Sequence, residues 1–395
     1  MGKIYDRLRQ DFDTTLTVMS AGEASLKDLA EDFPRVMSLA ASLDAPVEKI
    51  VPLADRLTQA RLLSAFELDA ETLRRPSAVG VFARGIRGVR LTRTGAIETA
   101  TADLAEALRS PLLPSHSSAH DFFRFQKAYA LMYGSLYNVA AAEFDSIAVE
   151  GGLWAEQAEY WRTELTVTAK SHFRDALSAS AAIGDNGFLA IRKHLLRGNI
   201  HRKNARFAEA ETEYMQARDL ARQARADGLE DRAIMNLAET LAWTRPQEGH
   251  RLALDAIERA RKQNNKVDEL RAWLALAIAD TGTQAEATVQ DHIQKATELD
   301  QLLGGQIGQI PIGTVQAFQA VITGNSDILH QACKTVTSTT RMLGTDQFQN
   351  DILAVWSGIS STEQSRHTRE TQWLDGPDET LRRWREVVIA RQGAA

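Results

Sequence analysis

The chain has 395 residues, 44% of them hydrophobic and 25% charged, with 46 Lys and Arg against 52 Asp and Glu and a net charge of −6. This is the composition of a folded globular protein, and its acidic balance excludes a protein that coats nucleic acid over its whole surface. A single cysteine, Cys333, excludes an intrachain disulfide or a multi-thiolate site, and no run approaches the roughly 20 apolar residues of a membrane helix.

In chain order, Ile4, Leu8, Phe12, Leu16 and Met19 recur at helical spacing, and a second helical segment is expected from Ser25 after a break at Gly22. The start, MGKIYDRLRQDF, lacks the apolar core of a signal peptide, and Asp6 breaks the myristoylation pattern, so the cytoplasm is the expected compartment. Between Phe33 and Leu68 two more helices flank Asp44 to Pro46. They lack the basic second helix and short glycine-containing turn of a helix-turn-helix DNA reader and predict a packed bundle.

Residues 74–93, RRPSAVGVFARGIRGVRLTR, carry Arg74, Arg75, Arg84, Arg87, Arg90 and Arg93 and no acidic residue. Gly80, Gly85 and Gly88 among β-branched residues weaken a helix here and allow a strand or hairpin. The arginines either contact phosphates or an acidic partner, or form a basic connector paired with Asp69, Glu71, Glu98 and Asp103; a charge run is usually a solvated face. After a helix from Ile97 to Leu108, the loop SPLLPSHSSAH offers Ser117 or Ser118 as a cap for the next helix. His116 and His120, with Asp121, have a spacing a metal can use, with no further ligand group nearby, so no metal site is expected. This loop sets the expected end of an N-terminal helical domain, 1–115.

From Phe188 to Leu220 the sequence reads as two helices broken at Lys203 to Ala205, with Gly198 in the first and Phe207, Ala210, Tyr214 and Ala217 on one face of the second. Steps of about 40 residues from Gly198 reach Ala238, Ala277 and Ala317 forwards and Ala158 backwards. Trp154 and Trp273 fall one helical turn before their small residues. The second helices read Phe173, Ala176, Ile183; Leu252, Ala253, Ile257, Ala260; Val289, Ile293, Ala296; and Leu329, Cys333, Val336. A further helical pair, Asp121 to Tyr133 and Leu136 to Ile147, precedes them. Each hairpin leaves an apolar face that only its neighbour can cover.

The spacing from Gly198 to Ala217 resembles the tetratricopeptide signature, and small residues are needed where helix backbones approach closely. The resemblance covers about residues 120 to 358. With its long step and no closing proline, the array is similar to the long-repeat variety in bacterial peptide-sensing regulators and in sensor halves of signalling ATPases. It implies an all-α, right-handed superhelical solenoid of tetratricopeptide-like hairpins over 116–358, with a peptide, partner domain or effector held on the concave face of the first helices. Chaperone-tail-binding members of the family hold a terminal carboxylate with Lys and Asn from one first helix, Asn from the next, and Lys and Arg from the third. Asn199, Asn236 and Arg271 fall at three of those places, and Leu195 and Ala275 at the other two. More generally, Arg192, Asn199, Arg202, Lys203, Arg232, Asn236 and Arg271 are expected to line the inner wall and to suit a protein or peptide partner with an acidic segment.

Residues 302–313, LLGGQIGQIPIG, lack the Lys and Ser or Thr of a phosphate loop and read as a connector. Residues 359–395 read as a polar linker and an amphipathic helix from Gly376, which either caps the solenoid or docks on another subunit through Trp384. No HExxH, GxSxG, Walker A loop, GxGxxG or CxxC occurs, so neither catalytic residues nor a cofactor are expected. The expected function is a non-catalytic adaptor, sensor or complex subunit. The alternative is a nucleic-acid-associated subunit using Arg84, Arg87, Arg90 and Arg93 on phosphates.

Overall fold

The structure, a computed structural model, describes residues 2–20, 26–63, 67–185, 187–305, 308–344, 347–358 and 371–393. The breaks expected at Gly22 and over 359–370 lie outside these residues. Among the described residues every regular element is a helix, and none is long and apolar enough to cross a membrane. Contacts group the chain into two compact units: 1–158 with 221–229 and 262–265, and 159–220 with 230–261 and 266–395.

The first unit contains α1 (Gly2–Ser20), α2 (Leu26–Leu43), α3 (Val51–Gln59), α4 (Ala70–Arg74), α5 (Ala78–Thr94), α6 (Ile97–Arg109), α7 (Ser118–Tyr133) and α8 (Tyr137–Glu150). The arginine-rich stretch is helix α5, not the strand or hairpin its glycines and β-branched residues allow. Ser77 caps it by accepting from the Gly80 amide at 3.3 Å, and Gly95 ends it in the left-handed region at φ 90°. Gly85 is small for packing: a Cβ there would lie 2.3 Å from the Phe123 ring of α7. Glycine is the residue that lets the two helices close on one another.

The arginines of α5 are committed within the unit. Arg87 donates to both Asp103 oxygens at 2.8 and 2.7 Å, Arg84 donates to the Leu73 carbonyl at 2.8 Å and pairs with Glu106 at 3.3 Å, and Arg90 meets Glu67 at 2.9 Å. Arg93 is buried with its guanidinium 5.0 Å from the centre of the Tyr129 ring. Of the expected acidic partners Asp103 is used by Arg87 and Glu71 by Arg75, while Asp69 caps α4. The Asp103 side chain is 8% exposed and accepts a bidentate pair, so Arg87→Ala strands a carboxylate and is expected to lower stability by about 2 kcal/mol. Urea unfolding checks this, and an unchanged midpoint would mean that the pair is mere surface decoration. Ser117, through its hydroxyl, is the residue that caps α7.

Helix α9 (Ala155–Thr168) crosses the boundary in sequence between the units, and α10 (Phe173–Ala179) comes next. Hairpins then succeed one another: α11 (Gly187–Lys203) with α12 (Phe207–Gln223), α13 (Asp227–Thr244) with α14 (Pro246–Lys262), α15 (Lys266–Asp280) with α16 (Glu286–Leu302), and α17 (Gln309–Thr323) with α18 (Ser326–Leu343). The expected small positions lie inside the packing: Ala238, Ala277 and Ala317 are wholly buried, and a Cβ on Gly198 would lie 2.4 Å from the Tyr214 ring. The second-helix faces are buried at Ala210, Tyr214 and Ala217, at Ala253, Ile257 and Ala260, and at Val289, Ile293 and Ala296. The last is thinner, with Val336 buried and Cys333 half-buried, its thiol pushed up by burial. Helices α19 (Gln347–Ser357) and α20 (Pro377–Gln392) complete the unit.

Candidate functional site: a groove on the first helices

The first helices of successive hairpins present polar residues one repeat apart, and these meet as a ladder. Glu164 of α9 accepts from Asn199 Nδ2 of α11 at 3.3 Å, and Asn199 Oδ1 accepts from the Tyr214 hydroxyl at 2.7 Å. One step on, Glu239 of α13 is shared: Arg202 meets one of its oxygens at 2.8 Å and Arg271 of α15 the other at 2.6 Å. Arg271 also donates to Asn236 Oδ1 at 3.2 Å, and Arg232 pairs with Asp268 at 2.6 Å. The structure therefore brings together Asn199, Arg202, Arg232, Asn236 and Arg271. It places Lys203 beside them, its amine 4.5 Å from the centre of the Phe348 ring. Arg192 is elsewhere, lying over Tyr160 and Trp161 of α9 at 5.8 and 5.4 Å.

The wall is thus not the bare basic surface the sequence suggests, because Glu164, Glu239 and Asp268 enter it from the same helices. Their states differ. Burial raises Glu164 above the usual carboxylate range, against the opposing pull of Lys203, Arg232 and Arg271. Burial acts the same way on Glu239, yet Arg202 and Arg271 outweigh it and hold that carboxyl down at about 2. Tyr214 is pushed up to about 12 by burial and stays a neutral donor. The cations Arg202, Lys203, Arg232 and Arg271 therefore face the carboxylates Glu239 and Asp268 plus a Glu164 whose charge is opposed, a positive balance. Within this cluster, Arg202 Nε, Asn236 Nδ2 and Glu164 Oε2 are buried without a hydrogen-bond partner. Such atoms cost free energy until something pairs with them.

Next to the ladder lies a groove with an interior of about 150 Å³. Arg202, Lys203, Glu239 and Arg271 line its polar side, while Trp243, Leu274, Ile278, Phe348, Trp356 and Trp384 supply apolar wall. Trp243 meets Trp384 edge-on at 5.3 Å and Trp356 lies 6.0 Å from Trp243. Trp384 is only 4% exposed, so it anchors α20 within its own chain and is not presented to another subunit. A mostly apolar concavity with a few convergent charged groups is the usual form of a ligand site. Sequence reasoning missed the acids and the aromatic wall. Glu164 lies 35 residues before Asn199, one repeat step, and Glu239 one turn after Asn236, so repeat spacing held a signal for both. Phe348, Trp356 and Trp384 come from helices outside the hairpin register and left none. Among the described residues no cluster of His, Cys, Asp and Glu suits a metal ion.

Stacked helical hairpins meeting at small residues, with a groove on the first helices, define a tetratricopeptide-like helical-repeat fold. A crystal structure of a Rap protein complexed with competence and sporulation factor is similar in fold, with a TM-score of 0.53 at 13% identity over 79% of this chain and 95% of that one. No protein-family model matches the chain, and no curated protein sequence does.

Proposed function

We propose that the chain is a non-catalytic repeat scaffold that binds an extended peptide, or an extended segment of a partner protein, along the groove, and serves as a cytoplasmic adaptor, sensor or complex subunit. An acidic group of the ligand lies against Arg202, Lys203 and Arg271, and apolar side chains enter among the tryptophans. The observation that carries this reading is the positive balance beside an apolar wall, with Arg202 Nε left unpaired there. A carboxylate supplies acceptors where donors lack them, and in a partly desolvated site such a pair is strong. The likeness to a Rap protein complexed with competence and sporulation factor supports a ligand-binding role for such a fold. Contact with nucleic acid through Arg84, Arg87, Arg90 and Arg93 is less supported, because Arg84, Arg87 and Arg90 pair with acids or a carbonyl of their own unit and Arg93 is buried over the Tyr129 ring, away from a phosphate.

Selection from a random peptide display library tests the reading. The wild-type chain is expected to enrich sequences with an acidic residue or free C-terminus next to aromatic or aliphatic residues, and the Arg202→Gln/Arg271→Gln chain to lose that enrichment. Equal enrichment by both chains would overturn it.

A further inference from the structure

The C-terminal residues 371–393 do not continue the hairpin register. They run across it, and their anchors fall at the ends of successive first helices. Trp384 Nε1 donates to the carbonyl of Lys203, the last residue of α11, at 3.2 Å. Arg391 donates to the carbonyls of Ala242 near the end of α13, of Ala279 near the end of α15 at 3.1 Å, and of Thr281 just beyond it at 3.0 Å. Gln392 Nε2 reaches the Val321 carbonyl near the end of α17 at 3.3 Å. Before α20, the Leu374 amide donates to Asn204 Oδ1 at 3.0 Å, and Asp375 pairs with Arg206 and, at 2.7 Å, with Arg383. Helix C-termini carry unpaired carbonyls and negative dipole ends, which is what a guanidinium and an indole N–H satisfy.

Arg391 is the unusual member. It is 4% exposed and donates to neutral carbonyls, with Asp280 the acidic group that offsets its burial. Holding a buried cation by helix ends works only while those ends keep their spacing. Trp384, on the same segment, is also groove wall beside Lys203.

We infer that residues 371–393 form a separable clamp that fixes the spacing of successive hairpins and closes one wall of the groove, so that clamp docking and groove occupancy are linked. The linkage rests on the groove being the ligand site; the clamp itself does not. A ligand touching both Lys203 and Trp384 gains contacts only when the clamp is docked, and by reciprocity it tightens the clamp by the factor that the clamp tightens it.

Amide hydrogen exchange on the full chain decides the matter. The amides of 377–392 are expected to exchange as one set, about tenfold or more faster than those in the middle of α13 and α15. Arg391→Gln is expected to speed that set and the last turns of α13 and α15 by roughly another tenfold, leaving mid-helix amides unchanged. Trp384→Phe, which keeps a ring but loses the donor to Lys203, changes the same amides less. An acidic peptide recovered by display slows exchange of the clamp, and Arg391→Gln weakens that peptide. If 377–392 exchange only with the whole unit, or Arg391→Gln speeds every amide alike, the segment is ordinary core and the inference is overturned. Equal peptide affinity in wild type and Arg391→Gln, with the clamp visibly loosened, overturns the linkage. If no acidic peptide binds the wild-type chain, the reading of the groove fails, and the exchange pattern alone still decides whether the clamp exists.

Discussion

Glu239→Gln is expected to lower the stability of the repeat unit by about 2 kcal/mol at neutral pH and, in the same chain, to tighten binding of an acidic peptide. The first effect comes from geometry. Arg202 and Arg271 share this carboxylate at 2.8 and 2.6 Å with side chains 14% and 20% exposed, so removing its charge leaves two guanidiniums facing one another in a poorly hydrated place. Breaking a buried pair costs about 3–5 kcal/mol, and the partial exposure here reduces that figure. The pH dependence has a definite sign. The folded-state value, about 2, lies below the ordinary 4.5, so the stabilisation is present above pH 4.5 and is lost as pH falls towards 2. The difference between wild type and variant, read from urea unfolding at several pH values, should therefore shrink over that window. The second effect has the opposite direction because an incoming carboxylate replaces the missing one. A variant that is less stable yet binds more tightly is hard to obtain from non-specific damage.

Gly198→Val is expected to destabilise the same unit by about 3 kcal/mol. Replacing a helical glycine would ordinarily gain up to about 1 kcal/mol in helix propensity. Here the new Cβ falls 2.4 and 2.6 Å from Tyr214 ring atoms, inside contact distance, and the ring is wholly buried and tied through its hydroxyl to Asn199. Overpacking costs about 1–3 kcal/mol, and displacing the ring also loses a hydrogen bond worth about 1 kcal/mol, so the losses outweigh the gain. Urea or thermal unfolding measures it. A stability equal to or above wild type would mean that Gly198 is not the contact point of α11 and α12.

The repeat architecture was legible because small residues at a fixed step are a local signal with a physical cause: Ala238, Ala277 and Ala317 are wholly buried in the packing, and Gly198 leaves the room that the Tyr214 ring fills. The arginine-rich stretch was harder. Gly85 and its neighbours carry low helix propensity, and the packing partner that overrides it, Phe123, lies 38 residues away. Five of the inner-wall residues were legible for the same reason as the repeats, since equivalent positions on successive first helices converge. Their neutralisation was not, because Glu239 and Asp268 read as ordinary helix-surface acids until the neighbouring hairpin is in place. The aromatic wall from α19 and α20 depends on where the chain returns after the array, which periodicity does not encode.

The most direct test of the groove as an acidic-ligand site is titration of one display-selected acidic peptide against wild type, Glu239→Gln and Arg271→Gln, monitored by the tryptophan fluorescence of Trp243, Trp356 and Trp384. The expected order of affinity is Glu239→Gln tightest, wild type between, and Arg271→Gln weakest, each step about tenfold and each smaller at high salt. Equal affinity across the three chains, or an unchanged fluorescence on binding, would place the ligand elsewhere and contradict the assignment of the groove.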